Sequence, residues 1–354
     1  MNEFSFSVPQ NITVGKGSLT KLPEIAKKSG GSHAFLMSGP HLEKMGLVEK
    51  AANSLKSAGI SVDTFTDIEG NPSVETVDKA TEAFKEAGAD FIVAFGGGSP
   101  MDVAKAVGVT AKYGGSIMEY EGAHKVPGPI IPLIAIPTTA GTGSEVTAFS
   151  VITDHSRDYK LTVFSYEILP AYAILDAELL TTAPASVAAA CGIDAFIHAE
   201  EAYISTAASP FSDAMAEKAM SLIGKNIRRF VANRGDIEAA ESMLVGSLFA
   251  GIAFSFARLG NVHAMSHPVS AFFDVPHGVA NAVLLPVIAE YNALADHGRY
   301  LTIYNDISPV PAYAEEIENK IEAMAVDAMK SGNIAVNPRS SRQCDIEMLY
   351  RKAL

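Results

Sequence analysis

Up to about Pro184 the chain alternates short apolar runs with amphipathic stretches, and beyond it the alternation stops. HAFLMS from His33, ISVDTFTD from Ile60, DFIVAFGGG from Asp90 and PLIAIPTT from Pro132 read as strands. Between them LEKMGLVEKAANSLKSAG, SVETVDKATEAFKEAG and a stretch from Pro100 to about Val109 read as helices. Strands separated by helices give βαβ units, so the sheet is parallel and carries helices on its faces. EVTAFSVITD, KLTVF and AYAILDAE add further strand-like segments. After Pro184 alanine-rich segments with helical periodicity take over. The expected fold is a Rossmann-like α/β nucleotide-binding domain over 1–184 and an all-α domain over 185–354.

The helical half concentrates metal-binding chemistry. Four of nine histidines fall in two short segments. Asp194 and His198 in GIDAFIHAEEAYIS are four apart and share a helix face, and so do His263 and His267 in NVHAMSHPVSAFFDVPHG, with His277 ten residues on. A carboxylate with several imidazoles and no thiolate suits a divalent cation such as Fe2+ or Zn2+, and ligand chemistry leaves the choice open. His33, His41, His124, His155 and His297 lie in polar or loop-like surroundings and carry no assigned role. Cys191 reads as a small buried side chain in an alanine-rich helix.

Two polar loops end apolar strands. In Gly96-Gly97-Gly98-Ser99-Pro100-Met101-Asp102, Ser99 is placed to cap the next helix and Asp102 to complete a capping box. The glycines admit a ligand close to backbone amides at a helix N-terminus, which favours a pyrophosphate. A tight turn explains the same glycines, and the run is not the usual dinucleotide GxGxxG. Pro137-Thr138-Thr139-Ala140-Gly141-Thr142-Gly143-Ser144-Glu145 offers hydroxyls and glycines to the same crevice, or forms a plain turn.

The net charge of −13 argues against a nucleic-acid surface. The longest uninterrupted apolar runs, such as PLIAIP, are too short to span a membrane. MNEFSFSVPQ has neither the basic nor the apolar part of a signal peptide, and two cysteines make no disulfide framework. These readings together point to the cytoplasm.

FGGGSPMDVAK, IPTTAGTGSEVT, GIDAFIHAEEAY and NVHAMSHPVSAFFDVPHGVANA, with FSVPQNITVGKGSLTKL at the start and NPR at Asn337–Arg339, occur in one order and spacing along nearly the whole chain. In this the chain resembles the iron-dependent (group III) alcohol dehydrogenase family of the dehydroquinate synthase-like superfamily. The resemblance implies NAD or NADP as hydride carrier, Fe2+ (or Zn2+) as metal, a small alcohol or aldehyde as substrate and a homodimer or larger homo-oligomer. It implies Asp194, His198, His263 and His277 as metal ligands and His267 as a further active-site histidine beside the nicotinamide. Gly97, Gly98 and Ser99 would hold the pyrophosphate, with Thr138, Thr139, Thr142, Asn71 and Lys160 along the nucleotide cleft. Gly39 stands where many NAD-using members carry an aspartate for the ribose 2′-hydroxyl, which implies tolerance of NADP. The C-terminal region is shorter than the family pattern near 300–325. A glycerol-dehydrogenase-like zinc enzyme, a dehydroquinate-synthase-like lyase and a non-catalytic nucleotide-binding member are the competing readings.

Overall fold

A computed structural model describes residues 4–8, 10–273, 275–295, 298–302 and 320–353. Among the described residues the strands are β1 (Asn11–Val14), β2 (His33–Met37), β3 (Ser61–Phe65), β4 (Phe91–Gly96), β5 (Gly122–Ala123), β6 (Leu133–Pro137), β7 (Phe149–Asp154), β8 (Tyr159–Phe164) and β9 (Tyr172–Leu175). Six of them form one sheet in the order β1-β9-β6-β4-β2-β3, every pairing parallel. Every residue of β4 and β6 is buried, because helices cover both faces of the sheet centre. The strand order reverses direction between β2 and β4, and the crevice beyond their carboxyl ends is where such sheets take ligands. Of the three later strand-like segments, only β9 returns to this sheet. β7 and β8 pair antiparallel in a small separate sheet with β5.

The helices of this half are α1 (Leu22–Lys28), α2 (Pro40–Lys44), α3 (Leu47–Ser57), α4 (Val74–Ala87), α5 (Gly98–Tyr113) and α6 (Ala177–Leu180). The single helix expected over LEKMGLVEKAANSLKSAG is two, because Gly46 takes a left-handed φ of 72° between α2 and α3. α5 starts at Gly98, two residues before Pro100, and runs four past Val109. The expected capping box is absent: Gly97 is the N-cap, and Asp102 instead accepts from Ser144 Oγ at 2.7 Å and the Val151 amide at 3.2 Å. A carboxylate that can tie two neighbouring segments to α5 makes more of its charge than one bonded to its own helix end.

From Ala185 the structure is helical: α7 (Ala185–Ile204), α8 (Pro210–Ala232), α9 (Ile237–Ala257), α10 (Asn261–Phe273) and α11 (His277–Ala293), then helices over Ile321–Lys330 and Gln343–Ala353. α9 is long and apolar enough to cross a membrane, although serines and glycines divide it into short apolar runs. It is mostly buried against α7 and α8, as the central helix of a folded core is. Small residues let these helices approach closely. A Cβ on Gly278 would lie 2.1 Å from the Ala190 carbonyl oxygen, so the start of α11 presses on α7. A Cβ on Gly143 would lie 2.8 Å from the Gly251 Cα, so the loop after β6 rests directly on the α9 backbone. Residues 303–319, most of the stretch expected to be shortened, lie outside the described residues.

Candidate active site

One cleft of about 1150 Å3 opens between the sheet edge and the helices. Gly39, Asn71, Gly97, Gly98, Ser99, Thr138, Thr139, Thr142 and Lys160 line it, and so do Asp194, His198, His263, His267 and His277. The residues singled out in two distant stretches of sequence therefore share one space.

On the sheet side, Gly97 has extended backbone, and no side chain among the described residues caps α5. The first-turn amides are left available where Gly97, Gly98 and Ser99 line the cleft. The glycines are needed for space as well. A Cβ on Gly98 would lie 2.7 Å from Thr142 Cγ2, and one on Gly97 would lie 3.1 Å from Thr139 Oγ1. Lys160 Nζ donates to Asn71 Oδ1 at 2.7 Å, and Asn71 itself takes a left-handed φ of 55°.

Behind the two loops lies Lys105, a fully enclosed lysine in the apolar middle of α5. Its Nζ donates to Ser144 Oγ at 2.7 Å, to the Thr147 carbonyl at 2.9 Å and to the Phe149 carbonyl at 2.7 Å. Asp102 accepts from the same Ser144 hydroxyl. Burial pushes the Lys105 amine down to about 8, against the pull of Asp102 and Glu145, and pushes the Glu145 carboxyl up to about 7. The network ties the glycine loop to the threonine loop, so neither shifts alone.

On the helical side, Asp194 Oδ1 lies 3.4 Å from His263 Nε2, 3.7 Å from His277 Nε2 and 4.0 Å from His198 Nε2. Candidate donor atoms of Asp194, His263 and His277 fall within 4.8 Å of one another. The His198 ring stacks on His263 at 4.4 Å between centroids and completes the cluster. The His267 ring lies 5.2 Å from His277 and 6.2 Å from His263, beside the cluster. Burial would raise the Asp194 carboxyl, but His198, His263 and His277 hold it below the usual carboxylate range. Burial pulls His198 down to about 4 and His267 to about 3, leaving neutral imidazoles with lone pairs to offer. For His263 the carboxylates of Asp194 and Glu201 outweigh burial and push it up to about 9.

Three residues here escaped the sequence reading. Glu201 Oε2 is 2.6 Å from His263 Nδ1, and Glu201 Oε1 accepts from the Val262 amide at 2.7 Å. That contact leaves His263 Nε2 for the cluster, the usual way a carboxylate orients a metal-binding histidine. Asn281, four residues after His277 on the same helix face, donates from Nδ2 to Asp194 Oδ1 at 2.6 Å. The same Nδ2 is 3.1 Å from His263 Nε2 and 3.3 Å from His277 Nε2. Its buried Oδ1 has no hydrogen-bond partner among the described residues. A donor group central to a carboxylate oxygen and two imidazole nitrogens stands where positive charge is wanted, so the cluster fits a divalent cation. The spacing rule that paired Asp194 with His198 would have found Asn281, whereas Lys105 showed only as one charge in an apolar run. Cys191 is half-buried and lines the cleft, a correction to its reading as a plain core residue; burial pushes its thiol up to about 12.

A nucleotide-type cradle and a carboxylate–imidazole cluster opening on one cleft define an enzyme that brings a dinucleotide up to a metal. The profile described as "Iron-containing alcohol dehydrogenase" matches residues 9–177, and that of the "Fe-containing alcohol dehydrogenase family, C-terminal" matches 188–310. An NAD-dependent methanol dehydrogenase of Bacillus methanolicus is 34% identical, covering 99% of this chain and 100% of its own. An NADPH-dependent butanol dehydrogenase of Clostridium saccharobutylicum is 38% identical over 89% of this chain and 81% of its own. A crystal structure of 1,3-propanediol oxidoreductase superposes with a TM-score of 0.94 at 36% identity, covering all of both chains. The chain belongs to the iron-containing alcohol dehydrogenase family and is an alcohol oxidoreductase.

Proposed function

We propose that this enzyme interconverts a small alcohol and its aldehyde with NADP or NAD, and that Asp194, His198, His263 and His277 hold Fe2+. The observation that carries the reading is the single cleft shared by the glycine cradle and the Asp/His cluster. When bound there, the ion supplies Lewis acidity toward the substrate oxygen. Asp194, held ionised, supplies the negative charge that neutral imidazoles lack. Glu201 fixes the His263 ring, and Gly97, Gly98 and Ser99 seat the pyrophosphate. Phe254, stacked on His198 at 4.6 Å, gives the substrate end an apolar wall that excludes water. We assign His267, whose ring lies 5.2 Å from that of His277 at the cluster's edge, the uptake or return of the hydroxyl proton at a ring nitrogen. The test is anaerobic reduction of a small aldehyde panel with NADH or NADPH, with Fe2+ added and then removed by chelator. Turnover that chelator abolishes supports the reading; turnover indifferent to chelator overturns the metal's part in it.

His267→Ala is expected to keep its metal while its rate falls about 100-fold, the lower end for losing a placed acid–base group. Metal content and kcat measured on one preparation decide this, since loss of the ion would make His267 a ligand.

Gly39 lines the cleft as the N-cap of α2 and brings no carboxylate to the ribose. Glu69 on the next loop also lines the cleft, but it is engaged by the Ser73 amide at 2.9 Å and the Thr76 hydroxyl at 2.8 Å. We therefore expect kcat/KM with NADPH to equal or exceed that with NADH. A strong preference for NADH would sink this assignment. A division of labour between 1–184 and 185–354, a cytoplasmic location and a homodimer or larger homo-oligomer complete the proposal.

A further inference from the structure

Arg258, the C-cap of α9, has φ 66° and ψ −176°, a backbone region that is essentially glycine's own. Helices commonly close on glycine where the chain must turn this way. The turn has no freedom to relax. A Cβ on neighbouring Gly260 would meet Asn337 Oδ1 and Glu201 Oε1, each at 2.9 Å, and the Asn261 amide is fixed to Asn337. A strained arginine held where glycine would fit without strain implies a use for its side chain.

The guanidinium lies over the Phe164 ring at 4.0 Å and the Phe149 ring at 5.5 Å, and Arg258 lines the cleft. Stacking occupies its face and leaves the N–H edge, and no hydrogen-bond or ion-pair partner for it occurs among the described residues. Burial pulls its pKa down, and among the described residues only the Tyr166 phenol opposes this, with no carboxylate doing so. The chain has 40 acidic residues and a net charge of −13, yet among the described residues none is set against this cation. The other cations near the cleft differ: Lys160 is bonded to Asn71, and Lys330 pairs with Asp327 at 2.6 Å. From the Asp/His cluster an aromatic wall leads to Arg258, from His198 to Phe254 at 4.6 Å and from Phe254 to Phe149 at 5.9 Å.

We propose that Arg258 selects substrates carrying a carboxylate at the end remote from the reacting carbon, with the aliphatic stem lying along the Phe254–Phe149 wall. The inference rests on the dehydrogenase reading and names its substrate class. In the reduction, a hydride from NAD(P)H goes to the aldehyde carbon and a proton to its oxygen, giving the ω-hydroxy acid and NAD(P)+. The carboxylate takes no part in the bond changes; it anchors.

The experiment compares kcat/KM for succinic and adipic semialdehydes with those for butanal and hexanal, in the Fe2+-loaded wild type, Arg258→Gly and Arg258→Asn. Glycine suits this backbone, and asparagine is no more strained there than the arginine it replaces, so both variants are expected to fold. The ratio of carboxylated to neutral aldehyde is expected to fall about 10- to 100-fold in both, mostly through KM, as for loss of a hydrogen-bonded charge. A second arm needs no turnover: succinate should raise the Tm of the wild type and not of Arg258→Gly. An equal loss for both aldehyde classes, with the succinate shift retained, would make Arg258 a wall-packing residue and overturn the proposal. If the wild type reduces neither class, the dehydrogenase reading fails separately, and the succinate shift alone decides the anion site.

Discussion

His263→Ala is expected to emerge from purification without tightly bound metal and with turnover reduced about 1000-fold or more, as for losing several kcal/mol of transition-state stabilisation. The substitution removes more than a donor atom. His263 Nε2 faces Asp194 at 3.4 Å while Nδ1 holds Glu201 at 2.6 Å. Without the ring, two enclosed carboxylates lose a common partner, and leaving a buried charge uncompensated costs about 3 kcal/mol or more. A fall in Tm should therefore accompany the loss of metal. Metal analysis of the purified variant is the deciding measurement, and undiminished iron would remove His263 from the ligand set.

Lys105→Met should be the most damaging substitution away from the Asp/His cluster. The amine makes three short hydrogen bonds to groups of the threonine loop and β7, and each acceptor left unsatisfied costs about 1–3 kcal/mol. Asp102 and Glu145 would also lose the Lys105 charge that pulls on both carboxyls. We expect a Tm lower by several degrees and weaker binding of NADPH, read by quenching of its fluorescence, because the glycine and threonine loops lose their common tie. Unchanged Tm and NADPH affinity would show that the loops hold their spacing without it.

The alternation before Pro184 was legible because strands buried on both faces must be continuously apolar, as in FIVAFG and LIAIP. The i, i+4 pairs Asp194/His198 and His263/His267 were legible because helix geometry fixes them locally. What the sequence could not display was contact across the fold. Asp102 looked like a cap because its distance from Ser99 fits one, yet its partners lie 42 and 49 residues away. Glu201 sat in a segment already quoted for its Asp and His, but its role depends on α10 passing over it. Arg258 drew no reading, since nothing in the string FSFARLG announces a positive φ. The split of LEKMGLVEKAANSLKSAG at Gly46 was readable in hindsight, for glycine commonly marks a left-handed break.

The bare contact between Gly143 and Gly251 has a bearing on how this protein can change over generations. At 2.8 Å from the Gly251 Cα, the space a methyl group would need at Gly143 is already filled, and at Gly251 a Cβ would meet Val146 at 3.0 Å and Gly143 at 3.1 Å. Gly143 adds a left-handed φ of 61°. Gly143 cannot accept a side chain unless the α9 backbone moves, and Gly251 can accept one only if Val146 and the Gly143 loop give way, so the two positions change together. Adaptation to a new alcohol then has to proceed through residues such as Phe149, Phe254 and Arg258, whose neighbours on the cleft side leave room for replacement.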